Sequence, residues 1–287
     1  MTPNITFTAW RGVVATFHLL AFMVTSWRIV HRKRTRGLWW DDYWALFGLL
    51  LDIVYFATLW MRVPAGASIP QSRGVTLFWL TTTFFPTVVW AARISIGFSI
   101  LRFVPRQTSS KTRKTLHYLL VLFGLFWLAL MLEKWITCGG NKAWEHTKAV
   151  QCTLGQAVGI ITLVTDVIGD GSLIFASLFI FWSANLHSGQ KLLVLSILCS
   201  SIFSTMAGIV YAVFVFQADS LGANRGLLIS LTANIKAAIT LLVCNMFVVT
   251  MAVHKLRGHH EDMETPAVSQ VTEDTESKGS LDEKIPA

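Results

Sequence analysis

Seven long apolar runs dominate the chain, separated by short polar stretches in which Arg, Lys and Gly recur. The runs cover residues 9–30, 39–61, 74–102, 116–136, 154–182, 191–216 and 226–253. As α-helices rising about 1.5 Å per residue, all are long enough to cross a hydrocarbon core of about 30 Å. None alternates with period two in short blocks, as barrel strands do, and lipid requires backbone groups to be satisfied within the segment. The pattern predicts an all-α, polytopic membrane protein, a seven-transmembrane-helix bundle over residues 1–253.

Composition supports this reading. Of the 287 residues 53% are hydrophobic and only 14% charged, which excludes a pair of ordinary soluble domains. The net charge of +8 is unevenly spread: residues 254–287 hold 8 of the 16 acids, leaving 20 bases against 8 acids before them. A nucleic-acid-binding protein needs a basic face on a soluble fold, whereas these bases sit between apolar runs, so nucleic acid is excluded as a partner and the lipid bilayer is expected. With the N-terminus outside, 13 Lys and Arg flank the inner helix ends and 7 the outer ends, so the positive-inside rule predicts N-out and C-in. Trp10, Trp27, Trp39, Trp40, Trp60, Trp79, Trp135 and Trp182 lie near the expected helix ends, where amphipathic rings anchor. The first run lacks a basic n-region and is read as a retained anchor, preceded by the sequon Asn4-Ile5-Thr6. Residues 254–287, acidic and poor in large apolar groups, read as a disordered cytoplasmic tail, with Thr272, Thr275, Ser277 and Ser280 as candidate phosphorylation sites.

Cys138 and Cys152 both fall in the outer loop between the fourth and fifth helices, facing an oxidising compartment, and are expected to form a disulfide. Cys199 and Cys244 lie within helices and read as small packing residues. Ser196, Ser200, Ser204 and Gly208 form a small-residue ridge on the sixth helix, and Gly155 and Gly159 do the same on the fifth. Pro86 interrupts the third helix just after Thr81-Thr82-Thr83, whose hydroxyls are candidates to satisfy the freed carbonyl.

Five ionisable residues remain at membrane depth: Asp52, Arg93, Asp166, Asp170 and Lys236. Charges there are costly, so they should face the interior and pair, either structurally or as a ligand or ion site. Counted from the inner helix ends, Arg93 lies about 13 Å deep, Asp170 and Asp52 about 18 Å, and Lys236 about 26 Å. Taking helices three and five, and two and seven, as neighbours, the expected pairs are Arg93 with Asp170 and Lys236 with Asp52. Asp166 is left as the acid without a base, with Asp166→Asn nearly silent for stability. Asp41 and Asp42 open the second helix, where capping is the expected role and any exposed ion pair is worth little. His18 is the single histidine well inside a run, so no zinc site assembles and no metal is expected. Gly169-Asp170-Gly171 lacks the glycine spacing of intramembrane aspartyl proteases, and the chain reads as non-enzymatic.

Several segments together are similar to those of a known group. "LWWDDYW", "WAARISIGFSILRFVP", the Cys138–Cys152 loop enclosing Trp144, "TDVIGD" and "LLVCNMFVV" occur in the order seen in fungal rhodopsin-domain integral membrane proteins. The chain resembles the basidiomycete branch over about residues 9–253. The resemblance implies a seven-helix, receptor-like plasma-membrane protein that senses surfaces, hosts or nutrients, with Asp41, Asp42, Arg93, Asp166, Asp170 and Asn245 at its recurrent polar positions. Ser177 stands where that group has a proline after the helix-five aspartates, and Lys236 where it has an acid.

The function expected from these readings is binding of an unknown extracellular small ligand in the outer half of the bundle. A helix rearrangement would then pass to the basic inner loops, the tail and a cytoplasmic signalling protein. No cofactor is required. The rival is a proton-coupled carrier using Asp52, Asp166, Asp170 and Lys236 as a relay, though no internal repeat supports it. A third reading is a retinal pigment attached through Lys236.

Overall fold

A computed structural model describes residues 4–35, 37–61, 70–103, 110–140, 142–146, 150, 152, 156–183, 188–217 and 225–264. Among them are seven α-helices: α1 (Asn4–Thr35), α2 (Trp40–Met61), α3 (Gln71–Phe103), α4 (Ser110–Gly140), α5 (Gln156–Ser183), α6 (Ser188–Phe216) and α7 (Arg225–Glu264). A short 3-10 turn, Lys142–His146, follows α4. Six of the helices contain stretches long and apolar enough to cross a membrane, and α6 adds the apolar segment Ser201–Phe216. The chain is therefore a multi-pass membrane protein, as its hydropathy pattern predicts. Helix α7 runs on to Glu264, into the stretch expected to be tail; residues 265–287, with the four candidate phosphorylation sites, lie outside the described residues.

Each helix packs on the next and α1 closes against α7, so the seven form a ring. Helix α3 also touches α5 and α7, and α2 touches α7, which bears out the neighbours assumed from the sequence. The spans of α3 and α7 are 89% and 71% buried, against 22–39% for those of α1, α2, α4 and α5, so α3 and α7 form the inner part of the bundle. The outward faces are apolar: Leu19, Met23, Phe175 and Phe203 are all exposed. Such a surface is unstable in water and stable in lipid.

Polar groups lie inside. The buried seam of α1 is Val14, His18, Ala21, Thr25, Arg28 and Arg32, spaced alternately by four and three residues. Helix α2 repeats the device with Asp41, Ala45, Gly48, Asp52, Tyr55 and Leu59. Spacing of this kind keeps one face of each helix against its neighbours along its whole length. The α1–α2 connection is tight. Gly37, at φ +76°, donates its N–H to the carbonyl of Arg32 at 3.0 Å and ends α1, a conformation that favours glycine. Asp42 then caps α2: its carboxylate accepts the N–H of Trp39 at 3.3 Å while its own N–H donates to the carbonyl of Trp39 at 2.9 Å. On α3, the hydroxyl of Thr81 donates to the carbonyls of Leu77 and Phe78, one turn back along its own helix.

The expected disulfide is present. Cys138, near the end of α4, is bonded to Cys152, with their Cα atoms 5.9 Å apart. Trp144 of the 3-10 turn donates its indole N–H to the carbonyl of Cys138 at 3.0 Å and packs against Phe78, ring centroids 4.5 Å apart. The bridge and Trp144 thus pack together against Phe78 near the start of α3. Gly159 lies against Val215 and Phe216, as a close α5–α6 approach requires. The side chains of Ser196 and Ser200, and Gly155, fall outside the described residues.

Closing the loop should stabilise by about 3 kcal/mol on the chain-entropy model. Cys138→Ser and Cys152→Ser are expected to lower the thermal unfolding midpoint equally, and the double variant no further than either single one, because one bond is lost in every case. Unequal single effects in detergent without reductant would count against this.

Candidate functional site

Apart from Lys134 of α4, the buried Asp, Arg, Lys and His side chains among the described residues fall into three groups. The central one joins α3, α5, α6 and α7. Arg93 on α3 donates from Nε to Asp170 Oδ1 at 2.9 Å and from Nη1 to Asp166 Oδ1 at 2.7 Å. Lys236 on α7 donates from Nζ to the other oxygen of Asp166. Asp166 and Asp170 lie four residues apart, hence on one face of α5, and a single guanidinium can span both. Asp170 Oδ2 also accepts the hydroxyls of Ser204 at 3.3 Å and Thr205 at 3.4 Å, so Ser204 of the small-residue ridge is a hydrogen-bond donor as well as a packing residue. Gly169 leaves room for the Arg93 chain, which would lie 3.4 Å from any Cβ there, and Trp90 carries the guanidinium 4.9 Å from its ring centroid.

This arrangement corrects the expected pairing. Arg93 does hold Asp170, but Asp166 is bound on both oxygens and Lys236 does not reach Asp52. The reason is depth. Asp166 sits about 24 Å from the inner end of its run, close to the 26 Å of Lys236, whereas Asp52 is a turn and a half shallower. Lys236 also faces α3 and α6, its Nζ 5.7 Å from the Phe85 centroid and 5.2 Å from that of Tyr211, while Asp52 faces α1.

The second group is the partner that Asp52 does have. Asp52 Oδ2 meets His18 Nδ1 at 2.9 Å with both side chains fully buried, and Phe56 lies 4.9 Å from the imidazole centroid. Reading His18 only as a possible zinc ligand missed this pair, although both residues lie on the heptad seams of adjacent helices.

The third group ties α1, α2, α3 and α7 together at the opposite end of the bundle from the disulfide. Arg28, fully buried, donates from Nη2 to Asp41 at 2.9 Å, from Nε to Asp42 at 3.0 Å and from Nη1 to the carbonyl of Cys244 at 2.9 Å and to Asn245 Oδ1 at 3.4 Å. Ser99 donates to Asp41 Oδ2 at 3.1 Å, Ser95 to the Asp41 carbonyl at 2.7 Å, and Asn245 Nδ2 to Thr25 at 2.8 Å. Arg32 and Arg102 approach Asp41 at 3.9 and 3.6 Å. The expectation that any ion pair of Asp41 and Asp42 is exposed and worth little is therefore corrected: Asp42 caps its helix, but both carboxylates are buried against a buried guanidinium. In the sequence Arg28 is one of the 13 Lys and Arg that flank the inner helix ends. Its place on the α1 seam, seven residues after Ala21, is the signal that marks it as interior.

The chemistry of these groups is ionic and hydrogen-bonding. Among the described residues no group of three or more His, Cys, Asp or Glu side chains is arranged to hold a metal ion. A carboxylate buried between two cations is worth most when complete and is costly to break. Asp166→Asn should accordingly lower stability by about 3–5 kcal/mol, at least as much as Asp170→Asn, since it strands Lys236 and half of Arg93. Chemical unfolding of both variants in detergent checks the order, and a silent Asp166→Asn would restore the pairing expected from the sequence.

The chain's relatives are visible at the level of a domain family. The fungal rhodopsin domain model matches residues 27–257, from just before Arg28 to just beyond the third charge group, and leaves His18 outside. Searches of curated proteins and of solved structures give no match. With most of its length matched and with Asp41, Asp42, Arg93, Asp166, Asp170 and Asn245 gathered into two buried networks, the chain belongs to the fungal rhodopsin domain family.

Proposed function

We propose that the chain is a non-enzymatic, receptor-like protein of the plasma membrane, oriented N-out and C-in, that binds a small extracellular ligand beside the Arg93–Asp166–Lys236 group. Ligand binding would then shift helices that also carry the Arg28 group, and with them the basic inner loops, the tail and a cytoplasmic signalling partner. One observation supports this above others: α3 and α7, the two most buried helices, each contribute to both networks. Arg93 and Ser99 lie about 9 Å apart along α3, Lys236 and Asn245 about 14 Å along α7. A ligand that displaces α7 from α3 at one network acts through a rigid element on the other, and its differential affinity for the two arrangements sets the response.

The coupling is testable in a double-mutant cycle. Asp166→Asn combined with Asn245→Ala should deviate from additivity by more than about 0.5 kcal/mol, although the two side chains share no contact. Additivity within that limit would remove the proposed link. Reconstitution into liposomes separates the receptor from the carrier: no flux across a broad substrate and pH panel is expected, and flux that requires Asp170 would replace the receptor with a transporter. The carrier's four-residue relay loses support from the geometry, because Asp52 pairs with His18 away from the other three.

A second reading has its own observation. Lys236 and Asp166 supply side by side an amine and a carboxylate, the minimum for attaching retinal with a counter-ion, and the aromatic rings of Phe85 and Tyr211 flank the amine. Adding retinal to the purified protein and to Lys236→Met decides it. The pigment reading requires a red-shifted band that disappears in the variant.

A further inference from the structure

Helix α4 carries a charge that none of these networks uses. Lys134, six residues before the end of α4 at Gly140, is only 4% exposed and makes no hydrogen bond or ion pair with any described residue. Its Nζ lies 5.9 Å from the centroid of the Phe85 ring, the same ring that Lys236 approaches at 5.7 Å. Three ionisable groups act on it electrostatically besides its own burial: Asp166, Lys236 and Glu133. Asp166 is already occupied on both oxygens, by Arg93 and Lys236. Glu133 points about 100° away around the helix, is partly exposed and forms no ion pair with Lys134. Arg93 Nη2 is likewise buried without a partner.

The ring of Phe85 borders two cations, Lys134 and Lys236, and with Arg93 these make three cations against two carboxylates, Asp166 and Asp170. A buried ammonium is strongly penalised without a counter-charge, and contact with one phenyl face offsets only part of that penalty. Against these two carboxylates the excess is one positive charge, the unused donors being Lys134 Nζ and Arg93 Nη2, and on the adjoining residue of α4 Glu133 Oε2 is buried without a hydrogen-bond partner. Trp90 lies against Arg93 and Phe85 against Lys134, and Phe85 in turn packs on Tyr211, ring centroids 5.1 Å apart. Lys134 lies about 9 Å from the disulfide end of its helix, on the side from which an extracellular ligand enters.

We propose that Lys134 docks the carboxylate of a small monobasic acid whose remaining part is apolar and rests on Phe85 and Tyr211. This rests on the receptor reading above and names its ligand class. One carboxylate neutralises the excess; a dianion would overshoot it, and a neutral molecule would leave the ammonium bare. Lys134 needs its charge for this role and not its exact shape.

The full-length protein in detergent, at fixed ionic strength, is titrated with benzoate and octanoate, with benzamide and octanamide as neutral isosteres, and with chloride. The readouts are the unfolding midpoint and calorimetric affinity. At least one acid should raise the midpoint saturably while its amide and chloride do not. Lys134→Met should weaken that acid at least about tenfold, Lys134→Arg should retain most of the affinity, and Glu133→Gln should leave it equal or tighter. Equal affinity in Lys134→Met, equal binding of the amide or of chloride, or no binding of either acid overturns the proposal. The two readings fail separately. Stabilisation by the amides alone would refute the acid while leaving a ligand site in the bundle. Loss of the coupling between Asp166 and Asn245 would strike the receptor reading and leave an acid-binding Lys134 intact.

Discussion

Asp166 is a carboxylate with a cation on each oxygen, placed where three helices meet in the low-dielectric interior. Neither Arg93 nor Lys236 tolerates that setting alone, and the acid that satisfies both also fixes how α3, α5 and α7 sit relative to one another. In a bilayer the apolar faces contribute little to helix association, because lipid tails are as apolar as the side chains they would replace. Specific polar contacts therefore decide the register between helices. Asp166 sets it near the middle, and Arg28 sets it at one end by reaching four groups on two helices.

The placement of these networks gives the bundle its division of labour. Helices α3 and α7 are enclosed and make polar contacts at two levels, while α4 and α5 expose much of their apolar surface to lipid. A helix held by polar contacts at two heights behaves as a lever more than as a spacer, since a shift at one height cannot be absorbed locally without breaking a bond at the other. The disulfide adds a fixed point near the start of α3, through Trp144 against Phe78. The mid-bundle network of Arg93, Asp166 and Lys236 lies between that fixed point and the Arg28 group.

Much of this was legible before any coordinates. Long apolar runs identify the helices because lipid admits no other way of satisfying the backbone, and Cys138 and Cys152 identify their own bond through the compartment they share. The five charges at membrane depth were also recognisable, as was the partnership of Arg93 with Asp170. What failed was the choice of partner for Lys236. Depth along a helix can be counted from a sequence, and it placed Asp166 level with Lys236. The direction a side chain takes around the helix axis relative to six other helices cannot be counted in the same way, and Asp52 was chosen on adjacency alone. Arg28 and His18 were missed for a different reason: each was weighed by residue type, as a topology marker or as a metal ligand, when the alternating four-and-three spacing from Val14 to Arg32 placed both on an interior face. Lys134, counted as an outer charge, sits just deep enough along α4 to be enclosed.

That spacing has a bearing on how the protein is made. Helix α1 is synthesised first, and its seam carries an imidazole and two guanidiniums that lipid receives badly. Asp41, Asp42 and Asp52 follow within one helical hairpin, so the nascent chain can give His18 and Arg28 their carboxylate partners as soon as α2 has entered the bilayer. The carbonyl of Cys244 and the amide of Asn245 arrive only with the last helix. Arg28 is thus partnered in two instalments, and the hairpin of α1 and α2 must wait, half satisfied, for α7.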